Sequence, residues 1–449
     1  AAREEIGRSE ESVALLEGLL GQREAEVATR PDDKNLAKEL RELRDRVEDA
    51  REKRAGTRAR IAAVAHDADL LHFAEAHPGI EEEVLSETAR LHAGDPENLA
   101  LWNRFLPHCK QEIKRVYDRI DVRFDCELGE SFYHDRLEAV VADLKRLDIA
   151  RESEGADCVF LPEYDSPMLI RKKDGAFLYA TTDLATIQYR AETWRPDAIL
   201  YVVDHRQSEH FGKLFAAARR WGYADVELRH ISFGTVLGED GRPYRTRSGD
   251  VVDLEELLDE AIRRAYAVVC GNDDSKPGGP ELTEEQRQTI ARTVGHAALK
   301  YADLSHNRTS DYVFSFDKMV AMDGNTATYM QYSYARTQSI FARGAIDTRA
   351  LRDRAPRLTC AEPEERDLAI ELIRFEEALE KTLEDYRPNF LTAYLYGLAT
   401  KFSKFYQQCD VLRADPEALR DSRLLLCDLT GRTIRQGLSL LGIGVVDKM

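Results

Sequence analysis

The strongest constraint on the fold of this chain is the succession of a strand, a helix and a second strand within residues 172–250. Residues 198–203 (AILYVV) form a continuous apolar and β-branched run, which is typical of a strand buried on both faces of a parallel sheet. A helical pattern from about Glu209 to Trp221 follows, and residues 226–233 form the second strand. Since parallel strands need a long crossover, this order predicts a parallel pair joined by a helix.

Polar residues follow the first strand, where a ligand is expected. In open parallel sheets, ligands bind beyond the carboxyl ends of the strands. We therefore expect residues 204–210 and the segment from Gly234 onward to form two rims of one pocket. Upstream, Asp174-Gly175 separates the apolar-rich runs 168–172 and 176–180, and this dipeptide predicts a hairpin.

Most of the remaining chain has helical periodicity. Apolar residues recur at threes and fours among dense charges in residues 4–20 and 35–63, which predicts an exposed helical hairpin. Residues 120–125 alternate like a short strand, and the chain from residue 286 onward predicts a helical bundle. A packed helical subdomain is predicted by larger apolar side chains at Leu101, Trp102, Phe105, Ile113 and Val116.

The chain is thus predicted to be mainly α with an α/β part, in five segments. These are a helical hairpin insertion (1–65), a helical connective region (66–165), the α/β part (166–258), a helical stem (259–320) and a C-terminal all-α bundle (321–449).

Composition narrows the class of function. A formal net charge of −18 argues against broad nucleic-acid binding and against DNA as a partner, while leaving room for RNA contact through a local patch. The seven cysteines form no CxxC pair, and His108, Cys109 and His134 lack paired ligand spacing, so we expect no protein-bound metal. No run is apolar enough to span a bilayer and no signal peptide opens the chain, so we expect a cytoplasmic protein.

A first group of candidate site residues consists of Tyr179, Asp183 and Gln207. A phenol, a carboxylate and an amide that converge on one pocket suit a cationic ligand, and a planar guanidinium best exploits a fixed carboxylate. Alternatively, Asp183 caps a helix that begins at Leu184, and the residues alone do not decide between the two interpretations.

A second group lies in the glycine-punctuated loop 234–249. It carries Arg242, Arg245 and Arg247 together with Thr246 and Ser248. Arginines and hydroxyls on a mobile loop suit a polyphosphate in a transition state. The pattern alone favours the alternative, a solvated hairpin.

A third group lies at a helix start within residues 323–336. The candidates for stacking on unpaired bases or for binding them are Tyr329, Gln331, Tyr332, Tyr334 and Arg336. The alternative is that these side chains belong to the core and to the helix cap, and the pattern alone favours that.

Together these stretches resemble the arginyl-tRNA synthetases, a class I family, over roughly residues 70–449. The resemblance is carried by the following segments: 173–185 (KDGAFLYATTDLA), 201–207 (YVVDHRQ), 244–249 (YRTRSG), 300–308 (KYADLSHNR) and 324–332 (GNTATYMQY). It implies that residues 166–258 are the second half of a Rossmann-type catalytic domain and that residues 321–449 bind the anticodon. It also implies ATP-dependent activation of L-arginine, with Mg²⁺ accompanying ATP, and transfer to tRNA(Arg).

The resemblance also implies roles for individual residues. Tyr179, Asp183 and Gln207 correspond to the arginine pocket, with Asp183 facing the guanidinium. The catalytic loop, which contacts the ATP phosphates, corresponds to Arg245, Thr246, Arg247 and Ser248. The tRNA-binding residues correspond to Tyr329, Gln331, Tyr334 and Arg336.

One departure concerns the His-x-Gly-His element of class I synthetases, which these 449 residues do not contain. We therefore expect the chain to be a C-terminal portion of a synthetase, or a non-catalytic tRNA-binding protein derived from one. In either case these residues alone should form no arginyl-adenylate. Catalysis needs preorganised donors around the ATP phosphates, and the loop from Arg245 to Ser248 could contact them from one side only. Arginine-dependent ATP-pyrophosphate exchange with tRNA present checks this, and robust exchange would contradict it.

Overall fold

The computed structural model describes residues 2–30, 33–238, 241 and 253–449. Contacts divide the chain into two units, residues 1–111 and 112–449. Among the described residues, no helix combines the length and the apolar character that crossing a bilayer requires.

The first unit begins with the predicted helical hairpin, formed by α1 (Ala2–Thr29) and α2 (Lys34–His66). Asp33 caps α2, and its carboxylate accepts hydrogen bonds from two backbone N–H groups of the first turn. Val13 and Val47 are buried between the helices, and ion pairs such as Arg44–Glu24 cross the exposed face. The prediction of a hairpin is confirmed.

Helices α3 (Ala68–Ala76), α4 (Ile80–His92) and α5 (Pro96–Arg119) follow. The predicted packed subdomain is wrong for α5, which buries no residue. Leu101, Trp102, Phe105 and Ile113 are exposed, and Val116 is half-buried. Apolar periodicity makes a helix amphipathic, but it does not supply the partner that would cover the apolar face.

The predicted strand at residues 120–125 is also wrong. The backbone turns at the end of α5, where Asp121 has a φ of +50°, and the ring of Phe124 packs on Tyr117 at 4.8 Å.

A short antiparallel sheet leads into the α/β part. Its first two strands lie within residues 66–165, where no strands were predicted at these positions. A 3₁₀ helix (Glu130–Arg136) and α6 (Leu137–Arg146) lead to β1 (Ala150–Ser153), β2 (Ala156–Val159) and β3 (Met168–Arg171). Glu154 and Gly155 both have positive φ, which is typical of the tight turns that join antiparallel strands.

The turn after β3 was predicted: Lys172 N donates to Ala176 O, and Gly175 has a φ of +85°. Its second strand is reduced to one bridge, Arg171 to Phe177, because α7 (Tyr179–Trp194) begins at once.

The predicted parallel pair is confirmed. Strand β4 (Ala198–Asp204) pairs in parallel with β5 (Glu227–Phe233), and α8 (Ser208–Trp221) is the crossover. The expected burial of β4 on both faces is wrong, since Ile199 and Tyr201 pack into the core with α7 and α8 while Val202 is 67% exposed. The face that carries Val202 is therefore open at β4, although Ile231, its partner on β5, is buried.

The predicted C-terminal bundle is confirmed, with a two-stranded addition. Helices α9 (Leu254–Asp274) and α10 (Glu284–Leu304) precede the bundle helices and pack together, and Thr283 and Gln286 form a capping box at the start of α10. Strand β6 (Val236–Leu237) pairs in parallel with β7 (Tyr312–Val313), which sequence periodicity did not indicate. The remaining helices are α11 (Phe316–Met319), α12 (Ala327–Gly344), α13 (Thr348–Asp353), α14 (Pro363–Ile373), α15 (Phe375–Asp385), α16 (Pro388–Gln408) and α17 (Glu417–Leu440).

Two arginines join the end of α15 to β5. Arg308 donates to Tyr386 O and Asp385 O, both at 3.0 Å, and to Ser232 O of β5 at 2.5 Å. Arg229, itself in β5, donates to Glu384 O and lies over the ring of Tyr386. The carbonyls at a helix C-terminus carry partial negative charge, so both guanidinium groups stabilise this junction.

Candidate functional site

A cavity of about 520 Å³ lies at the carboxyl end of β4, as the parallel sheet predicted. It contains all three residues of the first candidate group, contributed by α7 and by the 3₁₀ turn that follows β4. The lining residues are Leu128, Glu130, Tyr133, Tyr179, Thr182, Asp183, Thr186, Arg190, Tyr201, Val203, Gln207 and Phe211. The described residues 234–238 do not line this cavity, because β6 pairs with β7 instead.

Asp183 lies in the second turn of α7 and does not cap a helix. The N-cap of α7 is Leu178, so the alternative interpretation of Asp183 as a cap is wrong. Its carboxylate oxygen Oδ2 lies 2.7 Å from His210 Nε2. A carboxylate offers about four acceptor positions, so this bond leaves Asp183 able to accept from a ligand in the cavity.

His210 was not predicted as a site residue, although it lay within the rim 204–210. It is in the first turn of α8, and its ring meets Tyr179 edge-on with 5.1 Å between the centroids. One imidazole therefore contacts two of the three predicted pocket residues. The available signal was its position three residues after Gln207, at the start of the helix that follows the strand.

Gln207 is held in place by a local capping interaction. Asp204 ends β4, and its carboxylate accepts from the backbone N–H of Arg206, within the 3₁₀ turn (His205–Gln207) that carries Gln207. Hydrogen bonds from the side chain and then the backbone of Arg206 lower the pKa of Asp204 to about 2. The cap is therefore charged at neutral pH.

The cavity also contains a buried hydroxyl group and a guanidinium. Tyr201 is 9% exposed, and its hydroxyl has no hydrogen-bond partner among the described residues, although Arg190 lies over its ring, 5.6 Å from the centroid. Burial raises the pKa of Tyr201 well above its ordinary value, while the nearby charge of Arg190 lowers it in part. Tyr201 therefore remains a neutral hydroxyl that can donate to a ligand.

The second candidate group, Arg245, Thr246, Arg247 and Ser248, lies outside the described residues, as does Arg242. Among the residues that are described, no three His, Cys, Asp or Glu side chains form a group able to hold a metal ion.

The third group divides into buried and accessible residues. Gln331 is 0% exposed and Tyr334 is 2% exposed, and both hold the C-terminal segment. Gln331 Nε2 donates to Gly444 O at 2.8 Å, while the Tyr334 hydroxyl donates to Asp447 and accepts from Arg435. Contact with an unpaired base requires an accessible side chain, so this burial does not fit direct contact of Gln331 or Tyr334 with tRNA.

Arg336 instead belongs to a cluster on the surface of the bundle. Its guanidinium lies 4.6 Å from the ring centroid of Tyr332 and 5.1 Å from that of Tyr406 on α16. Arg343 donates to the Tyr406 hydroxyl at 2.8 Å and is exposed. We name Tyr332, Arg336, Arg343 and Tyr406 the tyrosine-arginine patch. Tyr329 is half-buried near Tyr396 of α16, with 6.0 Å between the ring centroids.

Comparison with known proteins gives consistent matches. Residues 49–316, more than half of the chain, match the family described as "tRNA synthetases class I (R), catalytic domain", and residues 330–449 match the "DALR anticodon binding domain". The chain is 52% identical over 426 residues to an arginine-tRNA ligase of Rhodopirellula baltica, covering 93% of this chain and 64% of the relative. It is 45% identical over 388 residues to an arginine-tRNA ligase of Azotobacter vinelandii, covering 82% and 65% respectively. The chain therefore spans just under two thirds of the length of these relatives.

Solved structures show the same likeness. The arginyl-tRNA synthetase of Plasmodium falciparum matches with a TM-score of 0.72 and 27% identity, covering 85% of this chain and 64% of that one. The Thermus thermophilus arginyl-tRNA synthetase matches with a TM-score of 0.68 and 24% identity, covering 88% and 70%, which supports the fold.

Proposed function

Since the chain belongs to the class I arginyl-tRNA synthetase family, we propose that its cavity binds L-arginine for ATP-dependent activation and transfer to tRNA(Arg). The observation that carries this proposal is that Tyr179, Asp183 and Gln207 line one cavity. We propose that the protein containing this chain acts as an arginine-tRNA ligase.

The lining suits a guanidinium at one point and a polar amino-acid backbone at others. Asp183 and Glu130 supply two carboxylates, and the donors of a guanidinium form a planar fork that pairs well with carboxylate oxygens. Gln207 can accept or donate, and the Tyr201 hydroxyl can donate to a ligand. A lysine ammonium would present a point charge without this planar geometry, so the site should favour arginine over lysine.

ATP is the second proposed substrate, and Mg²⁺ would enter with it as the counter-ion of its phosphates. We propose that Arg245, Thr246, Arg247 and Ser248 contact these phosphates, because guanidinium and hydroxyl groups are strong donors to phosphate oxygens.

Isothermal titration calorimetry with three ligands tests the arginine site. L-Arginine should bind, whereas L-citrulline, which replaces the guanidinium with a neutral urea of nearly the same shape, and L-lysine should bind at least about tenfold more weakly. Equal affinity for arginine and citrulline would contradict the proposed role of the carboxylates.

For tRNA(Arg), we propose the tyrosine-arginine patch together with Tyr329 as the contact surface. The chain has a net charge of −18, so attraction to RNA must come from a few local cations. This patch places Arg336 against two tyrosine rings and Arg343 on the hydroxyl of one of them. Aromatic rings and guanidinium planes both stack on unpaired bases. Gln331 and Tyr334 would then act indirectly, by holding the segment that packs beside α12.

Replacing Arg336 with alanine should weaken tRNA(Arg) binding by roughly 1–3 kcal/mol, the usual contribution of one stacked base. Fluorescence anisotropy with a labelled tRNA(Arg) transcript measures the change, and the salt dependence of binding should become shallower. Arg374→Ala removes another bundle arginine, one that lies outside the patch and pairs with Glu377, and serves as the matched control. If the two variants bind tRNA equally well, the patch is not the contact surface.

A further inference from the structure

His210 does not line the cavity itself, but it contacts two residues that do, Asp183 and Tyr179. Its side chain is 16% exposed, and its Nε2 atom lies 2.7 Å from Asp183 Oδ2. The contact joins the first turn of α8 to the second turn of α7, across 27 positions of sequence. The same ring meets Tyr179 at 5.1 Å and Phe211 at 5.2 Å, so it is held on two sides by aromatic contacts.

The chemistry of the pair fixes the direction of this hydrogen bond. An ionised carboxylate can only accept, so the Nε2 atom of His210 must carry the proton and donate. A bond to Oδ2 restricts rotation of the Asp183 carboxylate about its terminal torsion, which is otherwise broad. Asp183 then presents its remaining acceptor positions to the cavity in one orientation, before any ligand arrives.

We propose that His210 is a positioning residue for guanidinium recognition, acting through Asp183 and Tyr179; this rests on the proposed function of the cavity. A bidentate guanidinium contact depends on the plane of the carboxylate, so a carboxylate free to rotate loses affinity even though its charge remains. The imidazole also supports the exposed ring of Tyr179, which no other ring contact holds within the described part of the chain.

Two substitutions separate positioning from simple packing. His210→Leu keeps the volume but removes the donor, and we expect it to lower the affinity for L-arginine about tenfold, in line with the loss of outer partners of other ligating groups. His210→Gln places an amide N–H near the position of Nε2, and it should keep the affinity within about threefold of wild type. His306→Leu is the matched control, because His306 is exposed, and its ring bonds to Ala302 O near the end of α10 and stacks on Tyr312, neither of which lines the cavity.

The arginine affinity is measured by calorimetry, and the stability by thermal unfolding, for the wild type, His210→Leu, His210→Gln and His306→Leu. If His210→Leu binds arginine as tightly as wild type, the inference is overturned while the arginine site stands. Equal losses in His210→Leu and His210→Gln would show a packing role only and would also overturn it. If the wild-type chain binds no arginine, the proposed function fails, and the role of His210 in recognition fails with it.

A spectroscopic readout examines the pair without a ligand. Long-range ¹H–¹⁵N spectra of the free protein should show His210 protonated at Nε2, with a resonance that shifts in Asp183→Asn. A neutral ring protonated only at Nδ1 would overturn the inference.

Discussion

Replacement of Asp183 by asparagine is expected to lower the affinity for L-arginine by roughly ten- to a hundredfold. The reason is the loss of a charged hydrogen bond in a partly desolvated site, a change of about 1.5–3 kcal/mol. The fold should persist, because the asparagine carbonyl can still accept from His210 Nε2, the bond that now joins α7 to α8.

Calorimetry with arginine and citrulline makes this result specific. Affinity for citrulline should change much less, since the neutral urea gains little from a negative charge. Glu192→Gln, at a 54% exposed carboxylate on the same helix α7, is the matched control and should leave both affinities unchanged. An Asp183→Asn protein with wild-type arginine affinity would remove Asp183 from the proposed site.

A large loss of stability is expected when the ion pair between Glu365 and Arg423, buried inside the bundle, is broken. Glu365 is 0% exposed and accepts from Arg423 Nε at 2.5 Å as well as from the backbone N–H groups of Ala361 and Glu362. Arg423→Met would leave this carboxylate buried without its charged partner. Breaking one side of such a pair costs about 3–5 kcal/mol, so the free energy of unfolding should fall by that amount.

Urea unfolding followed by circular dichroism measures this loss. The double replacement Glu365→Gln with Arg423→Met should recover part of it, because a neutral amide oxygen can still accept from the two backbone groups. Arg374→Ala, which breaks the exposed pair with Glu377, should change the urea midpoint very little. An Arg423→Met protein as stable as wild type would show that the pair contributes nothing net.

Local patterns in the sequence predicted the elements that position the cavity. The apolar run of β4, the helical crossover and β5 follow from periodicity. The rule for parallel sheets accounts for Gln207, which follows β4, but not for Tyr179 and Asp183, which lie on α7 after the predicted hairpin and whose place in the same pocket was implied by the family resemblance.

Properties that depend on distant partners could not be predicted in this way. Whether Gln331 and Tyr334 face solvent depends on the segment around residues 444–447, more than 100 positions away. Tyr406 completes the tyrosine-arginine patch from α16, and nothing near Arg336 in the sequence indicates it. The exposed face of β4 is a similar case, since an apolar run shows what a strand could bury but not what covers it.

The junction made by Arg229 and Arg308 has a mechanical consequence. Each arginine donates two hydrogen bonds to residues 384–386 at the end of α15, and Arg308 also donates to the carbonyl of Ser232 in β5. Guanidinium groups are rigid forks, so α15 cannot slide along the strand without breaking these bonds together. The end of α15 and β5 are therefore mechanically coupled. A displacement of this helix would move β5, and with it β4, whose carboxyl end borders the cavity.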